Sequence, residues 1–215
     1  MSESTSGSDG AVELSLRERK KRATWQRISN VATGLFKARG FDQVSVAEVA
    51  RAAEVSTMTV FNYFPRKEDL FLDRIPEAVE VLSGAVRHRA PGETPLAALR
   101  RLSLELRDQH HPLAGPNDAF PDFWQVVIDS PALRARAREG LEEIENALSD
   151  ALAETAPDIP DPALAAALIV AAYRSVYGTT ARRLLAGERG EGPAEDHHVR
   201  MAAAFDTLER ALTPA

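Results

Sequence analysis

Residues 45–67 read Ser-Val-Ala-Glu-Val-Ala-Arg-Ala-Ala-Glu-Val-Ser-Thr-Met-Thr-Val-Phe-Asn-Tyr-Phe-Pro-Arg-Lys. Ser45 and Glu48 have the spacing of a capping box, in which the serine oxygen accepts a backbone N–H and the glutamate reaches back to the cap, so a helix is predicted to begin here. Ser56 gives a second capped start, and Pro65 ends the second helix because proline cannot continue one. Two short helices joined by such a turn form a helix-turn-helix, whose second helix can enter the major groove of DNA.

The apolar positions of this stretch predict how the two helices pack. Val49, Val55 and Val60 are expected to form the shared seam, and the small Ala50 falls where the helices cross closely. The outer face of the second helix then carries hydroxyl, amide and apolar groups, which suit base edges, thymine methyl groups and phosphate oxygens. The residues of this face are Thr57, Met58, Thr59, Asn62 and Tyr63.

Apolar residues along the rest of the chain recur with the helical period. The first such stripe comprises Ile28, Val31, Ala32, Leu35 and Phe36. Thr94, Ser130 and Asp161 each precede a proline, the arrangement that starts a helix at no cost in backbone hydrogen bonds. No comparable run alternates with a period of two. The sequence therefore predicts an all-α fold of about nine helices, over residues 15–39, 46–53, 57–63, 66–89 with a kink near Pro76, 94–110, 119–129, 131–155, 162–186 and 193–212.

The composition is that of a globular protein without a disulfide framework. The 215 residues are 44% hydrophobic and 27% charged and include no cysteine, which excludes thiolate zinc sites and cysteine nucleophiles and is compatible with a reducing cytoplasm. The longest stretch free of charged residues, Pro162–Tyr173, is too short to span a bilayer. Met1–Ala11 has no apolar core of a signal peptide. We expect a disordered segment over residues 1–14, a DNA-binding domain over 15–65 and a ligand-binding and dimerisation domain over 66–215.

The charge is unevenly distributed between the two predicted domains. Residues 13–74 carry 12 Lys and Arg against 8 Asp and Glu, whereas residues 75–215 carry 14 against 22. A basic module on an acidic body is typical of a protein that touches an anion with one face. The basic run from Arg17 to Arg22 is interpreted either as a DNA-contacting arm or first helical turns, or as a solvated polar face. Its attachment to a helix-turn-helix favours DNA contact, which includes Arg22.

The stretch from Arg27 to Leu72 resembles the DNA-binding domain of the tetracycline-repressor (TetR) family of bacterial transcription regulators. The resemblance rests on three motifs: Ala32-x-x-Leu35-Phe36-x-x-x-Gly40-Phe41, Ser45-Val46-x-x-Val49-Ala50, and Val55-Ser56-x-x-Thr59-Val60-Phe61-Asn62-Tyr63-Phe64-Pro65-x-Lys67-Glu68-x-Leu70. It implies a three-helix DNA-binding domain that a long fourth helix joins to a divergent ligand-binding and dimerisation domain. The implied phosphate contacts are Thr59, Tyr63 and Lys67, the implied base-reading residues are Thr57, Met58 and Asn62, and Ser45 falls at the cap of the second helix.

Two residues depart from the family pattern. Phe61 stands where many members carry a tyrosine whose hydroxyl reaches a phosphate, so that contact is expected to be absent. Glu54 stands at a turn position where glycine is common. A left-handed backbone there would strain a residue with a Cβ by about 1 kcal/mol.

Aromatic residues in two C-terminal helices predict an effector pocket, because apolar ligand sites use aromatic walls with few polar groups. The predicted pocket residues are Phe120, Phe123, Trp124, Tyr173, Arg174 and Tyr177. Packing in the core is the alternative for each aromatic residue. Arg174 interrupts an apolar helix, and a buried arginine needs an anion, which would be either an acidic partner across a dimer or an anionic ligand.

Stripes of small and apolar residues on the last two helices predict a homodimer, since close helix packing by two protomers would form a four-helix interface. The predicted interface residues are Leu164, Ala171, Ser175, Gly178, Phe205, Leu208 and Leu212. The alternative is burial within one monomer. A dimer also gives the single recognition helix a second half-site.

The remaining clusters of potentially reactive residues predict no further site. Adjacent histidines such as His110-His111 and His197-His198 do not share a helix face, so no metal site is predicted. No nucleophile elbow, Walker loop or dinucleotide motif is present, so neither enzymatic activity nor a cofactor is expected. The sequence predicts a homodimeric repressor that leaves its double-stranded operator when a small molecule binds, the effector being apolar or acyl-CoA-like. Two alternatives are an architectural DNA-binding protein and a helical ligand carrier or enzyme without specific DNA binding.

Overall fold

The computed structural model describes residues 15–116, 120–189 and 192–212, and these are all-helical with no strand. The predicted disordered segment, residues 1–14, lies outside the described residues. The nine helices within the described ranges are α1 (Leu16–Arg39), α2 (Val46–Ala52), α3 (Thr57–Tyr63), α4 (Ile75–Arg87), α5 (Pro95–Asp108), α6 (Phe120–Asp129), α7 (Pro131–Thr155), α8 (Pro162–Leu185) and α9 (Gly192–Leu212). The all-α prediction is confirmed.

The helix starts follow from the capping residues. Ser45 and Glu48 form the predicted capping box, in which the Glu48 N–H donates to Ser45 Oγ at 3.2 Å and the Ser45 N–H donates to Glu48 Oε2 at 2.8 Å. Thr94, Ser130 and Asp161 each accept a backbone N–H three residues on and precede a proline in the first turn. These caps fix where α2, α5, α7 and α8 begin.

The fourth helix departs from the predicted continuous helix over 66–89. The chain forms a short 3₁₀ turn at Glu68–Leu70, and α4 begins only at Ile75. Pro76 therefore lies in the first turn of α4 rather than at a kink. That position leaves no backbone hydrogen bond unmade, because the first N–H groups of a helix have no partner within it.

The N-terminal apolar core extends beyond the first three helices. Ile28, Phe36 and Val60 are fully buried together with Leu70, which follows the boundary predicted between residues 65 and 66. Val127 of α6 and Leu133 of α7 belong to the same cluster. The core of the DNA-binding part is thus completed by side chains from the C-terminal helices.

A second core is built from α4, α5, α7, α8 and α9. Its fully buried side chains include Leu99, Leu148, Leu152 and Ile169. By length and composition α8 is long and apolar enough to cross a membrane, but it packs against α6, α7 and α9 in this fold.

The turn between α2 and α3 places a residue with a Cβ in left-handed backbone. Glu54 has a φ of 54°. The Glu54 N–H donates to Arg51 O at 3.2 Å and the Val55 N–H donates to Ala50 O at 2.9 Å, which is the pattern of a Schellman helix end. The backbone conformation expected to strain this residue is therefore present, and it lies in the turn that sets the angle between α2 and α3.

Glycine and alanine at position 54 isolate the cost of that strain. Glu54→Gly and Glu54→Ala both remove the exposed carboxylate, but only alanine keeps the Cβ. We expect the glycine variant to have a free energy of unfolding about 1 kcal/mol above that of the alanine variant, because left-handed backbone penalises the Cβ. Urea denaturation measures the difference, and equal stabilities would show that the turn carries no such strain.

Candidate DNA-binding surface and effector site

The seam predicted between α2 and α3 is present. Val49 and Val60 are fully buried, Ala50 is 3% exposed at the crossing, and Val55 is half-buried. Because one side of the short α3 is used in this contact and in the N-terminal core, its opposite side faces solvent.

The solvent-facing side of α3 carries the residues predicted to read bases. Thr57, Met58 and Asn62 are exposed, and 69% of Met58 and 43% of Phe61 are accessible. Large apolar side chains at this level of exposure contribute nothing to the core of the chain. They suit contact with thymine methyl groups in a major groove. The assignment of these residues to base reading stays a prediction.

The residues predicted to contact phosphate differ in how free their polar groups are. Thr59 Oγ1 lies 2.8 Å from Ser56 Oγ, and Ser45 Oγ is part of its capping box. Tyr63 is half-buried against the N-terminal core. Each of these side chains already stabilises a helix end or packs on the core. A phosphate contact would therefore be a second role for it.

Lys67 has an internal partner. Its Nζ donates to Phe41 O at 2.7 Å and lies 4.2 Å from the centroid of the Phe41 ring. Burial lowers the pKa of the Lys67 ammonium from its ordinary value. A phosphate contact, if made, therefore shares this ammonium with the end of α1, and removing the lysine affects folding as well as DNA.

The basic run is helical. Ser15 and Glu18 form a capping box at the start of α1, so Arg17 to Arg22 occupy its first two turns and are exposed. The flexible-arm form of the prediction is thus wrong for the described residues, and the helical-turn form remains.

Three of the six predicted pocket residues lie together. Phe120 and Trp124 of α6 have ring centroids 5.9 Å apart, and the Tyr177 ring of α8 is 6.4 Å from Phe120. Ala181 and Leu184 complete this cluster. The Tyr177 hydroxyl donates to Leu113 O at 2.6 Å.

Two of the other three residues touch this cluster but also belong to the two cores, since the Phe123 ring is 5.8 Å from that of Trp124 and the Tyr173 ring is 6.5 Å from that of Tyr177. Phe123 stacks on Phe71 at 5.1 Å between centroids and so belongs to the N-terminal core. Tyr173 packs edge-on against Phe205 at 5.9 Å in the C-terminal core. Arg174 is exposed, so the expectation of a buried arginine is wrong for this chain. Successive helix residues point about 100° apart, which turns Arg174 away from its inward-facing neighbour.

A buried histidine was missed by the prediction of the pocket. His197 of α9 is 1% exposed, its Nδ1 lies 3.0 Å from Thr180 Oγ1, and its ring is 4.7 Å from that of Tyr177. Burial lowers the pKa of His197 to about 4, with a smaller contribution from His198. The signal was available in the sequence, because His197 continues the stripe of Met201, Phe205 and Leu208 by one helical turn. No cluster of potential metal ligands occurs in residues 15–116, 120–189 and 192–212.

The rings of the aromatic cluster pack on one another and on His197. A crevice of about 960 Å³ opens elsewhere, where the α4–α5 turn meets the end of α7, and its apolar floor includes Leu96, Leu152 and Ile169. None of the six predicted pocket residues lines it. The crevice is therefore separate from the aromatic cluster.

The predicted dimer stripe on α8 faces solvent. Leu164 is 54% exposed, Ser175 is exposed, and Ala171 and Gly178 are half-buried on the same side. Leu168, on this side as well, is 37% exposed. Small and apolar residues on an open helix face suit a close helix partner, and the interface itself stays a prediction.

The structure contradicts the predicted dimer contact of the apolar stripe on α9. Phe205 and Leu208 are 2% and 6% exposed, and Leu212 packs against the same core. Phe205 and Leu208 are buried within their own chain and so are not available to a partner, whereas Leu212 is half-buried. The open side of α9 carries Val199 and Ala203 instead.

Comparison with known proteins supports the DNA-binding assignment. The family described as "Bacterial regulatory proteins, tetR family" matches residues 28–73. The HTH-type transcriptional regulator TcmR of Streptomyces glaucescens is 29% identical over 202 residues, which are 92% of this chain and 88% of TcmR. The solved structure of NalD, a repressor of an efflux pump in Pseudomonas aeruginosa, aligns with a TM-score of 0.55 at 17% identity and covers 91% of this chain and 98% of its own. The flavonoid-responsive regulator FrrA aligns with a TM-score of 0.51 at 24% identity over 90% of this chain and 98% of its own.

Proposed function

We propose that this chain, which belongs to the TetR family of bacterial transcriptional regulators, represses transcription in the cytoplasm as a two-fold dimer and leaves its operator when a small molecule binds. The family assignment makes it a DNA-binding regulator. The observation that carries the proposal is the outer face of α3, where Thr57, Met58 and Asn62 are exposed on a helix held firmly from behind. The similarity to transcription regulators also argues against an enzymatic role.

The proposed dimer uses the open side of α8. Leu164 and Leu168 are exposed and Ala171 is half-buried, so the described residues leave apolar surface open on this side. Arg174 lies on this side too, which supports the earlier alternative that it meets a carboxylate across the dimer rather than a ligand. Two recognition helices related by a two-fold axis would occupy successive major grooves.

The proposed effector site is the aromatic cluster of Phe120, Trp124 and Tyr177. Its described members, which include Ala181 and Leu184, carry no charge. This supports an apolar effector over an acyl-CoA-like one, because the phosphates of coenzyme A need cationic partners. Phe123 lies next to Trp124 on α6 and stacks on Phe71 of the N-terminal core. Movement of α6 would therefore reach the domain that carries α3, and a ligand that favours one position of α6 shifts the population of DNA-competent dimers.

Variants of α3 and of the following turn separate sequence reading from phosphate contact. Asn62→Ala should lose about 1–3 kcal/mol of discrimination at one or two base pairs, because a side-chain amide reads base edges. Lys67→Met should weaken binding to specific and random DNA alike and lower the salt slope by about one. Gel shifts with the DNA upstream of the coding sequence, against random competitor at several salt concentrations, measure both effects.

Lys67→Met also removes the hydrogen bond to Phe41 O, so DNA binding is normalised to the concentration of folded protein. The control is Lys37→Met, which changes an exposed lysine of α1. A shift of all sequences by the same factor in Asn62→Ala would show that Asn62 does not read bases. Wild-type protein that binds operator and random DNA equally would favour an architectural role, and the absence of binding would favour a ligand carrier.

Charges on the open side of α8 should separate the protomers. Leu168→Glu combined with Ala171→Glu places four like charges in the proposed interface. Operator affinity should then fall towards the non-specific level, about 10⁻⁴–10⁻⁶ M at physiological salt. Sedimentation should show a monomer, while Leu104→Glu, at an exposed leucine of α5, should leave the dimer intact. An intact dimer in the double variant would place the interface elsewhere.

A further inference from the structure

Two buried polar atoms in the C-terminal part have no hydrogen-bond partner within the described residues. They are Trp124 Nε1 and His197 Nε2. Trp124 and Tyr177 both pack against the cluster of Phe120, Ala181 and Leu184, and the His197 ring meets the Tyr177 ring edge-on at 4.7 Å between centroids. A buried polar atom without a partner is costly, and native proteins keep few of them. Two such atoms on side chains that border the same aromatic cluster point to a site that another molecule completes.

The hydrogen bonds around His197 define which atom can donate. The Thr180 hydroxyl has one proton, and it donates this proton to Val176 O at 3.1 Å. While the hydroxyl donates to that carbonyl, His197 Nδ1, 3.0 Å from Thr180 Oγ1, carries the hydrogen of the neutral ring and donates it to the threonine oxygen. Burial keeps the imidazole neutral at pH 7, since the pKa of His197 is lowered to about 4. His197 Nε2 is then an acceptor, whereas the indole N–H of Trp124 is a donor.

One donor and one acceptor beside aromatic faces select a particular chemistry. A hydroxyl group can accept the Trp124 N–H and donate to His197 Nε2, and an aromatic ring that bears it can stack among Phe120, Trp124 and Tyr177. An ionised ligand would find no counter-charge among the described residues of this cluster. We propose that Trp124 and His197 recognise the hydroxyl group of an uncharged hydroxylated aromatic molecule. This inference rests on the proposed function and names the chemical class of its effector.

Binding requires one segment to move. A Cβ built on Gly115, whose φ is 126°, would lie 2.6 Å from His197 Nε2, so the backbone at Gly115 covers that nitrogen directly. The Tyr177 hydroxyl holds the same segment through Leu113 O. His111, at its start, lies 3.2 Å from Glu77 of α4. A ligand hydroxyl that takes the place of Gly115 at Nε2 therefore displaces a segment that touches α4.

Three naphthalene derivatives test the chemical class on the full chain. 2-Naphthol carries the hydroxyl, naphthalene lacks it, and 2-naphthoate carries a charge. With ¹⁵N-labelled tryptophan, we expect 2-naphthol to move the indole N–H resonance of Trp124 downfield and to leave that of Trp25, which stacks on Phe64 in the N-terminal core. Trp25→Phe assigns the two resonances. Titration should give 2-naphthol about tenfold higher affinity than naphthalene, and 2-naphthoate should not bind in the same range.

Trp124→Phe and His197→Phe remove the donor and the acceptor while each keeps an aromatic ring. Each should lower the affinity for 2-naphthol about tenfold, to the level of naphthalene, and leave the affinity for naphthalene unchanged. Trp124→Phe decides the matter alone if His197→Phe fails to fold. Equal affinities for the three compounds, or an unmoved Trp124 resonance, overturn the inference. Gel shifts without any compound test the proposed function separately, because a protein that binds its operator but not 2-naphthol retains the function and loses only this inference.

Discussion

Helix α6 packs its side chains into two different apolar clusters, and the arrangement of the two parts of the molecule depends on this double contact. Phe123 stacks on Phe71 in the N-terminal core, with centroids 5.1 Å apart and ring planes inclined by 13°. The next residue, Trp124, packs against Phe120 and the C-terminal helices. The two adjacent rings meet edge-on at 5.8 Å. Because both clusters are close-packed, α6 cannot shift at one without disturbing the other.

Polar contacts reinforce the same junction. Arg136 of α7 is 8% exposed and bonds Asp69 at 2.8 Å, beside the 3₁₀ turn that follows the helix-turn-helix, and Glu143 at 2.7 Å. Ser130, the cap of α7, donates to Asp42 at 3.0 Å. The Arg136–Asp69 pair and the Ser130–Asp42 hydrogen bond therefore join the N-terminal core to α7 in addition to the connection through α4. Glu143 lies on α7 itself and orients the arginine. A regulator built this way transmits a change at its C-terminal helices through packed side chains.

The sequence predicted those features whose signals are local. Caps at Ser45, Ser130 and Asp161 located helix starts, and Glu54 has the left-handed backbone expected of its turn. The position of Pro76 was predicted wrongly because the apolar residues keep the helical period on both sides of it. In such a pattern, a proline in the first turn of a helix cannot be told from a proline at a kink.

Features that depend on what lies opposite a helix could not be predicted in this way. An apolar stripe does not say whether its neighbour belongs to the same chain, and so Phe205 of α9 was assigned to a partner although it packs inside the monomer. Arg174 was expected to be buried and is exposed, whereas His197 was assigned no role and is buried. The contact of His197 on α9 with Tyr177 on α8 likewise needed the fold.

Coupling between the DNA-binding face and the aromatic cluster can be measured without knowing the effector, because linkage between two sites is reciprocal. The chain has two tryptophans, one in each part, so protein labelled with 5-fluorotryptophan gives one ¹⁹F resonance for Trp25 and one for Trp124. On titration with the upstream DNA that gel shifts identify, the account predicts that the Trp124 resonance shifts or broadens together with that of Trp25. A Trp124 resonance that stays unchanged while the DNA saturates the protein would contradict it.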